Sequence, residues 1–275
     1  MSYTLKSFIK DITPSLALTY RGLLGQRKKP MFSGHYRTWD AALAVSTGYD
    51  ASEILDKVTA ATLKVYRGEA AFERDSVLFD EIVYSWPLLA ALLWIAVREK
   101  GVLRICDFGG ALGTTYFQNR KFLQNVPEVQ WCIVEQAGFV ERGKEQLGSS
   151  QLRFHETVEG CFQDCQCDAL LLSSVLPYLS SPYEMLQNLL SYHFRYVLLD
   201  RTPILEHAPD RLTVQYVPDT IYSASYPAWF FNETKLLNFF SADYTLVEQF
   251  NSFENWDLED VSSQNKGYIF IRRRS

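Results

Sequence analysis

One short segment determines which fold this sequence can adopt: Ile105-Cys106-Asp107-Phe108-Gly109-Gly110-Ala111-Leu112-Gly113-Thr114. The apolar residues that begin it predict a strand, and the residues from Thr114 onward predict a helix. The glycines between them let the backbone turn tightly and approach a ligand closely. The free N–H groups at the start of a helix face such a turn. The segment therefore predicts a strand, a glycine turn and a helix that together hold a ligand.

Two common nucleotide-binding patterns do not fit this glycine turn. The dinucleotide pattern G-x-G-x-x-G, started at Gly110, meets Leu112 in its third position. Started at Gly109, the same pattern meets Ala111 and then Thr114. A phosphate-binding P-loop is excluded as well, because no Gly-Lys-Ser/Thr sequence follows. The turn therefore serves another kind of ligand, or it only joins a strand to a helix.

The sequence around this turn alternates between apolar strands and helices. Strands are predicted at 103–107, 131–135, 152–155, 168–173 and 196–200, with helices at 114–123, 138–147 and 182–190. This alternation predicts a parallel sheet covered on both faces. A helix at 234–240 and two strands at 244–250 and 267–271, with no helix between them, end the chain. We therefore predict an α/β fold, a doubly wound, mostly parallel seven-stranded sheet with a C-terminal antiparallel hairpin.

The first hundred residues have a mainly helical pattern. Apolar side chains recur at helical spacing from Ile54 to Val65, behind the helix-start residues Asp50 and Ser52. A second helix is predicted at 78–98, and the polar stretch 25–40 is predicted to be a loop. We therefore divide the chain into an N-terminal helical extension or lid, residues 1–100, and a principal domain, residues 101–275.

Composition excludes several classes of protein. The chain has 275 residues, 47% hydrophobic and 21% charged, with a net charge of −5 and a pI near 5.5. An acidic chain with two short basic clusters gives no reason to expect a nucleic-acid partner. The longest apolar run, Trp86 to Val97, is shorter than the about 20 residues that a membrane-spanning helix needs. Residues 1–16 lack the apolar core of a secretory signal, so we expect none there.

The five cysteines are Cys106, Cys132, Cys161, Cys165 and Cys167. An odd number, with two of them in apolar strands, favours reduced thiols and a cytoplasmic protein. Three cysteines lie close together in the sequence, but zinc sites usually pair C-x-x-C units or add histidines at fixed spacing. The sequence alone therefore predicts no metal site.

The glycine turn resembles motif I of class I methyltransferases, an acidic residue followed by G-x-G-x-G. Here the motif reads Asp107-x-Gly109-x-Ala111-x-Gly113, with alanine in place of the middle glycine. The resemblance implies a Rossmann-like methyltransferase fold and S-adenosylmethionine as the cofactor. In that family the acidic residue attracts the cationic amino-acid end of the cofactor. An acid at the end of the next strand, here Glu135, accepts hydrogen bonds from the ribose hydroxyls.

The same resemblance indicates further site residues. The remaining cofactor-binding candidates are Gly110, Gln136, Ser173 and Ser174. Residues 173–179 resemble the turn after strand four, which passes under the sulfonium centre in many small-molecule methyltransferases. Many relatives carry a histidine pair there, whereas this chain has Pro177 and Tyr178. We therefore expect Tyr178 and Arg201 to be the catalytic residues.

Six further stretches, spread over most of the chain, carry a closer resemblance. They are Trp39-x-x-Ala42, Gly48-Tyr49-Asp50, Glu73-Arg74-Asp75-Ser76, Asp107-Phe108-Gly109-Gly110, Arg201-Thr202-Pro203 and Ser225-Tyr226-Pro227-x-Trp229. They resemble a set of bacterial methyltransferase-like proteins of unassigned substrate, often associated with surface-polysaccharide gene clusters. We expect Arg74, Tyr226 and Trp229 to contact the acceptor. The alternative is a purely structural role, in which residues 73–75 form an ion-pair network and residues 225–229 form a wedge between sheet and loop.

We therefore expect an enzyme that transfers a methyl group from S-adenosylmethionine to a small-molecule or glycan-type acceptor. An oxygen acceptor also needs a general base, for which Asp200, His35 and Glu73 are candidates besides Tyr178. A branched side chain at Gly113 is expected to obstruct the cofactor and leave the fold intact. The alternative is a non-catalytic methyltransferase-fold module that acts as a partner in glycan assembly.

Overall fold

The computed structural model describes residues 31–48, 51–217, 224–252, 254, 256, 258 and 260–274. The first thirty residues of the predicted helical extension lie outside the described residues, as do Tyr49, Asp50 and Tyr222. The predicted loop at 25–40 is described only from residue 31 onward.

In chain order, the helices and strands are β1 (Phe32–Tyr36), α1 (Trp39–Leu43), α2 (Ala51–Tyr66), β2 (Phe72–Arg74), β3 (Val77–Phe79), α3 (Trp86–Arg98), β4 (Val102–Phe108), α4 (Thr114–Leu123), β5 (Glu128–Val134), α5 (Ala137–Gln146), β6 (Leu152–His155), α6 (Val158–Asp164), β7 (Ala169–Ser173), a 3₁₀ turn (Leu176–Tyr178), α7 (Pro182–Leu190), β8 (Tyr196–Leu205), β9 (Arg211–Val217), β10 (Ala224–Asn232), α8 (Glu233–Phe240), β11 (Tyr244–Asn251) and β12 (Gln264–Arg272).

Seven strands form the sheet that the sequence predicts, in the order β6-β5-β4-β7-β8-β12-β11. The first five pair in parallel, and β12 is antiparallel to both β8 and β11. The chain leaves β4 in one direction through β5 and β6, then returns to β7 on the other side of β4. The doubly wound sheet with its C-terminal antiparallel hairpin is thus confirmed.

Three further strands enlarge this sheet to ten. β9 and β10 form an antiparallel hairpin between β8 and α8, and β1 pairs with β9. The last two residues of β10 pair in parallel with the end of β8, Phe231 with Ile204. The loop predicted at 25–40 is therefore wrong over β1. In β1 only Phe32 is buried, so its polar sequence gives little strand signal, and pairing with β9 determines its conformation.

A small hairpin replaces the start of the second predicted helix. Arg74 of β2 pairs with Val77 of β3, and the two residues between them, Asp75 and Ser76, have φ angles of 50° and 66°. Two positive φ angles are typical of a type I′ turn. The helix predicted at 78–98 therefore begins only at Trp86, with Pro87 in its first turn, where proline is favoured.

Apolar cores cover both faces of the parallel sheet. One contains α2, α3 and α4 side chains such as Val58, Leu92 and Phe117, and the other contains α6, α7 and α8 side chains such as Cys161 and Leu186. α3 packs on the same core as β4, so it supports the sheet although it precedes residue 100. Within the described part of the chain, no helix has the length and apolarity to cross a membrane.

Candidate functional site

The turns after β4, β5 and β7 meet the middle of β8, at Asp200 and Arg201, along the carboxyl edge of the sheet. Gly109 N donates to Val134 O at 2.9 Å, which joins the β4 turn to the end of β5. Ser174 N donates to Asp200 O at 2.9 Å, which joins the β7 turn to β8. The strand order reverses beside β4, and open α/β sheets bind ligands at this reversal. The predicted cofactor residues therefore lie where this architecture places a ligand.

The glycine turn is tightly packed against its neighbours. Gly109 has φ +72°, and a Cβ there would overlap Val175 in the turn after β7. A Cβ on Gly110 would lie 2.6 Å from Asp107 Oδ2. Gly113 has φ +99° and is buried at the start of α4. Ala111, at the middle glycine position of the motif, also has a positive φ, 49°. Each motif position thus has a local reason for a small side chain.

Asp107 is 1% exposed at the end of β4. Trp131 Nε1 donates to its Oδ2 at 2.9 Å, and its Oδ1 accepts no hydrogen bond from the described residues. Burial raises the pKa of Asp107 to about 7, although Trp131 and the charge of Arg201 act in the opposite direction. A buried carboxylate oxygen without a partner is costly, so the geometry favours a ligand that brings a donor or a positive charge.

Glu135 follows β5 and is half-buried. Gln136 N donates to Glu135 Oε2 at 2.6 Å, and burial raises the pKa of the carboxyl group. Gln136 is exposed and occupies the N-cap of α5. Because Val134 is bonded to Gly109, the Glu135 backbone lies directly beside the glycine turn. Two carboxylates on neighbouring parallel strands therefore flank the turn.

A network of buried charges continues this edge across β8. Arg201 lies 3.7 Å from Asp200 Oδ2 and 3.7 Å from Glu254 Oε2, and it donates to Ser173 Oγ at 3.4 Å. Burial opposes the charge of Arg201, but Glu254 and Asp200 outweigh it and raise its pKa. The Asp200 carboxylate accepts a hydrogen bond from Ser173 Oγ through Oδ2 at 3.0 Å. Its other oxygen, Oδ1, accepts nothing from the described residues.

The β2–β3 hairpin brings the motif at 73–76 into the same network. Arg74 forms an ion pair with Glu254, and Asp75 interacts electrostatically with Arg201 and Glu254. Burial would raise the pKa of Glu254, but Arg74 and Arg201 outweigh it and lower this pKa. Arg74 and Arg201, predicted for different roles, are thus held by one carboxylate.

Glu73 contacts the start of α4 from the same hairpin. It is 2% exposed and accepts a hydrogen bond from Thr114 Oγ1. Its other oxygen, Oε2, accepts nothing from the described residues. Burial raises the pKa of Glu73 to about 7, and Asp75 adds to this effect.

Carboxylates outnumber cations along this edge. The described carboxylates are Glu73, Asp75, Asp107, Glu135, Asp200 and Glu254, and the described guanidinium groups are Arg74 and Arg201. Burial raises the pKa of Glu73, Asp107, Glu135 and Asp200, and the two arginines do not compensate all of them. The electrostatics therefore favour a ligand with a positive charge.

Unusual backbone conformations are concentrated in the same loops. Among the described residues, seven other than glycine have positive φ, and five of them are Asp75, Ser76, Ala111, Ser174 and Arg201. Such conformations cost free energy and persist where the surrounding structure imposes them, often at functional sites. Their concentration around the glycine turn and the charge network supports a functional role for this edge.

An aromatic group adjoins the charge network. Tyr178 hydroxyl donates to Gln215 Oε1 at 2.9 Å, and its ring lies 5.4 Å from that of Tyr226 and 6.1 Å from that of Trp256. Tyr178 is close enough to Arg201 that a phenolate there would raise the pKa of Arg201, so the two catalytic candidates are neighbours. Trp229 has a different position: its indole Nε1 donates to Leu179 O at 3.1 Å and thereby joins β10 to the β7 turn.

The candidate base His35 lies away from this edge and is exposed on β1. The other three histidines were not candidates: His155 lies 3.4 Å from Asp164, and His193 and His207 are exposed. An open cavity of ≈ 520 Å³ beside β6 is lined by Lys144, Arg153, Asp164 and their neighbours, and it contains none of the predicted site residues.

Sequence reasoning missed Glu254. Glu254 lies in the polar segment between β11 and β12, and no motif marks it. It contacts Arg74, 180 residues earlier in the chain, only because the fold brings them together. Asp75 was part of the motif at 73–76, but its electrostatic interaction with Arg201 depends equally on the fold.

The strand order, with its reversed penultimate strand β12, is that of the class I methyltransferase fold, a Rossmann-like architecture. Neither a family model nor a curated protein sequence matches the chain. Several solved structures have a similar chain path. Their sequence identities to this chain are low, so the similarity concerns the fold alone.

Three of these structures have the following similarities. The N-terminal domain of EvdMO1, crystallised in the presence of SAH and D-fucose, is 14% identical, with a TM-score of 0.47, over 82% of this chain and 98% of that chain. Magnesium protoporphyrin IX methyltransferase (ChlM) from Synechocystis PCC 6803, with bound SAH, is 10% identical, with a TM-score of 0.45, over 82% and 100%. An S-adenosylmethionine-dependent methyltransferase from Clostridium acetobutylicum ATCC 824 is 8% identical, with a TM-score of 0.45, over 78% and 98%.

Proposed function

We propose that this chain is an enzyme that transfers a methyl group from S-adenosylmethionine to a small-molecule or glycan-type acceptor. One observation carries the proposal: a glycine turn at the strand reversal is flanked by two carboxylates, Asp107 and Glu135, on adjacent parallel strands. The cofactor has a cationic amino-acid end, a sulfonium and a ribose with two hydroxyls. The excess of carboxylates at the site suits the cationic amino-acid end and the sulfonium. Glu135, the acid beside the turn, suits the ribose hydroxyls.

Each cofactor-binding residue has a defined part in this proposal. Asp107, through its unpartnered Oδ1, attracts the ammonium group of the cofactor. The backbone of Gly109 to Gly113 lies against its amino-acid end, and Glu135 accepts from the ribose, with Gln136 next to it. Ser173 and Ser174 belong to the β7 turn that touches Gly109 through Val175. The bound cofactor supplies an electrophilic methyl group, and alignment of the acceptor with it is the main task of the protein.

The acceptor site that we propose lies between the charge network and the aromatic group. Tyr178 and Tyr226 offer ring faces of the kind that stack on sugars, and Arg74 and Arg201 can orient a polar acceptor. For an oxygen acceptor, Asp200 and Glu73 are candidate bases, each with one carboxylate oxygen that accepts nothing from the described residues, and Tyr178 is the candidate beside Arg201. Trp229 takes part by holding β10 against the β7 turn. A glycan acceptor would place the reaction in polysaccharide biosynthesis.

We also propose the cytoplasm as the compartment. All five cysteines are buried, and three of them, Cys106, Cys161 and Cys167, are free thiols. The sulfurs of Cys132 and Cys165 are in bonding contact, but their Cα atoms are 7.5 Å apart, beyond the usual range for a disulfide, so we propose that these two cysteines are also reduced. Reduced cysteines fit a reducing compartment.

Titration calorimetry of the purified chain with S-adenosylmethionine, S-adenosylhomocysteine and NAD tests the proposed cofactor. We expect binding of the first two and none of NAD. Hydrogen bonds to a charged group contribute about 1.5–3 kcal/mol each, so Glu135→Ala should weaken binding by about tenfold or more. Glu156→Ala, at an exposed glutamate beyond β6, is the matched control and should bind normally. Undiminished affinity in Glu135→Ala would remove Glu135 from the site. Binding without turnover of any acceptor would favour the non-catalytic module.

A further inference from the structure

The second apolar core contains a compact group of four cysteines. Cys132 lies on β5, Cys161 on α6, and Cys165 and Cys167 on the segment that leads from α6 into β7. All four are between 0% and 6% exposed, and their sulfur atoms all lie within 4.8 Å of one another. Cys161 and Cys165 are each 3.4 Å from Cys167, sulfur to sulfur. The sequence spacing did not indicate this group, because Cys132 is 29 residues away from Cys161.

We propose that these four cysteines bind one zinc ion as tetrahedral thiolate ligands. Zinc–sulfur bonds of about 2.3 Å in a tetrahedron place the sulfurs about 3.8 Å apart. The two distances from Cys167 are close to this value, whereas the sulfurs of Cys132 and Cys165 are nearer to each other, in bonding contact, and would have to separate around the ion. A disulfide accounts for two sulfurs only, and the Cα atoms of Cys132 and Cys165 are 7.5 Å apart, outside its normal geometry. An iron–sulfur cluster holds its cysteines farther apart, because iron and sulfide atoms lie between them.

Two ion pairs flank the cysteine segment. Zinc with four thiolates carries a net charge of −2, which an apolar core does not accommodate by itself. Arg153 lies 2.7 Å from Asp164, the residue before Cys165, and Arg104 lies 3.7 Å from Asp168, the residue after Cys167. Both arginines therefore lie where the cysteine segment leaves the core.

This zinc ion would be structural. Four protein ligands leave no open position for a substrate, and closed four-thiolate sites are typical of structural zinc. The ligands connect the sheet strand β5 with α6 and the chain entering β7, so the ion would fix the crossover between β6 and β7. Since β7 carries Ser173 and Ser174 at its end, the ion would stabilise the strand that leads into the candidate site without touching it.

Metal analysis of the purified full-length chain, prepared without chelators, tests this proposal. We expect one zinc per chain by mass spectrometry of the elements. Exchange for cobalt(II) should give the visible and near-ultraviolet bands of tetrahedral cobalt thiolate. Removal of zinc from the wild type should lower its melting temperature, and added zinc should restore it. These measurements need no variant, so they hold even where a cysteine variant does not fold.

Serine variants then identify the ligands. Cys167→Ser should lose most of the zinc, whereas Cys106→Ser is the matched control and should keep one equivalent. Cys106 is the fifth buried cysteine and pairs with Cys132 across β4 and β5, but it is outside the group of four. A metal-free wild type with five titratable thiols, or a Cys132–Cys165 disulfide in a peptide map, would overturn the proposal. Loss of zinc in Cys106→Ser with retention in Cys167→Ser would overturn the ligand assignment.

Discussion

Gly110 lies directly against the carboxylate of Asp107: a Cβ atom on Gly110 would be 2.6 Å from Asp107 Cγ and 2.6 Å from Oδ2. The carboxylate is also fixed from the other side by Trp131. The second glycine of the turn therefore provides the space in which the acidic residue of the motif lies. The three nearest atoms that a Cβ on Gly110 would meet all belong to Asp107, so a substitution there can displace the carboxylate without destabilising the fold.

Gly110→Ala is expected to displace the Asp107 carboxylate and to weaken S-adenosylmethionine binding by about tenfold, the loss of one charged hydrogen bond. Its φ is not in the left-handed region, so the backbone tolerates alanine. Calorimetry and a thermal melt measure the two effects. Gly160→Ala is the control, because it adds the same methyl group to a glycine of α6 that is outside the candidate site. A Cβ there would lie 3.3 Å from Oγ1 of Thr157, the residue that caps this helix. Equal cofactor affinity in both variants would contradict a role of the Gly110–Asp107 contact.

Gly113→Val is expected to destabilise the protein, which corrects the sequence-based expectation of an intact fold. Gly113 has φ +99°, and its Cβ would lie 3.3 Å from Ile133 and 3.4 Å from Phe117 in the apolar core. A β-branched residue at such a φ, with overpacking, costs about 2–4 kcal/mol. Chemical denaturation without cofactor measures this loss. A variant that unfolds like the wild type but does not bind cofactor would support an intact fold after all.

The parallel half of the fold was predictable because each of its elements is marked locally. The strand 152–155 and the helix 182–190 were predicted with the bounds that the structure has. Asn232, a residue type typical of helix starts, caps α8 and accepts from Lys235 N at 2.8 Å. Strong apolar runs and helix caps act within a few residues, so a single sequence reveals them.

The remaining features depend on contacts that are distant in the sequence. β1 is a strand only because β9, about 180 residues later, pairs with it. The β2–β3 turn at Asp75 has no glycine or asparagine, the usual signal of a type I′ turn. In the site, the motif predicted Asp107 and Glu135, but Glu254 became visible only through its contacts with two arginines.

Glu73→Gln is expected to change how stability depends on pH. Burial raises the pKa of Glu73 from 4.5 to about 7, so the folded state binds this proton more tightly than the unfolded state. The stability from this group is complete below about pH 4.5 and is lost as the pH rises through about 7, at up to about 1.4 kcal/mol per pH unit. Glutamine removes this contribution and flattens the slope in that window. Denaturation between pH 4.5 and pH 8 measures it, and parallel curves for the two proteins would refute the assignment.

Trp229→Phe separates a structural from an acceptor-binding role. Phenylalanine keeps an aromatic ring but removes the Nε1–H that bonds Leu179 O at 3.1 Å. We expect a loss of about 1 kcal/mol in the free energy of unfolding, with cofactor affinity unchanged. Unchanged stability together with a higher KM for the acceptor would instead place Trp229 in direct contact with the acceptor.

Glu254→Gln is expected to be the most damaging of the conservative changes at the charge network. Glu254 lies between Arg74 and Arg201, whose guanidinium groups repel each other. The pKa of Arg74 is lowered mainly by burial and further by the charge of Arg201. Removing one partner of a buried ion pair costs about 3–5 kcal/mol, and we expect the lower end because a quarter of the Glu254 side chain is exposed. Glu248→Gln, at an exposed position of β11, is the matched control and should be nearly neutral. Urea denaturation at pH 7 compares the two variants. Equal stability of both would mean that the two arginines are neutralised by other carboxylates, and Asp75 and Asp200 would then be the groups to replace next.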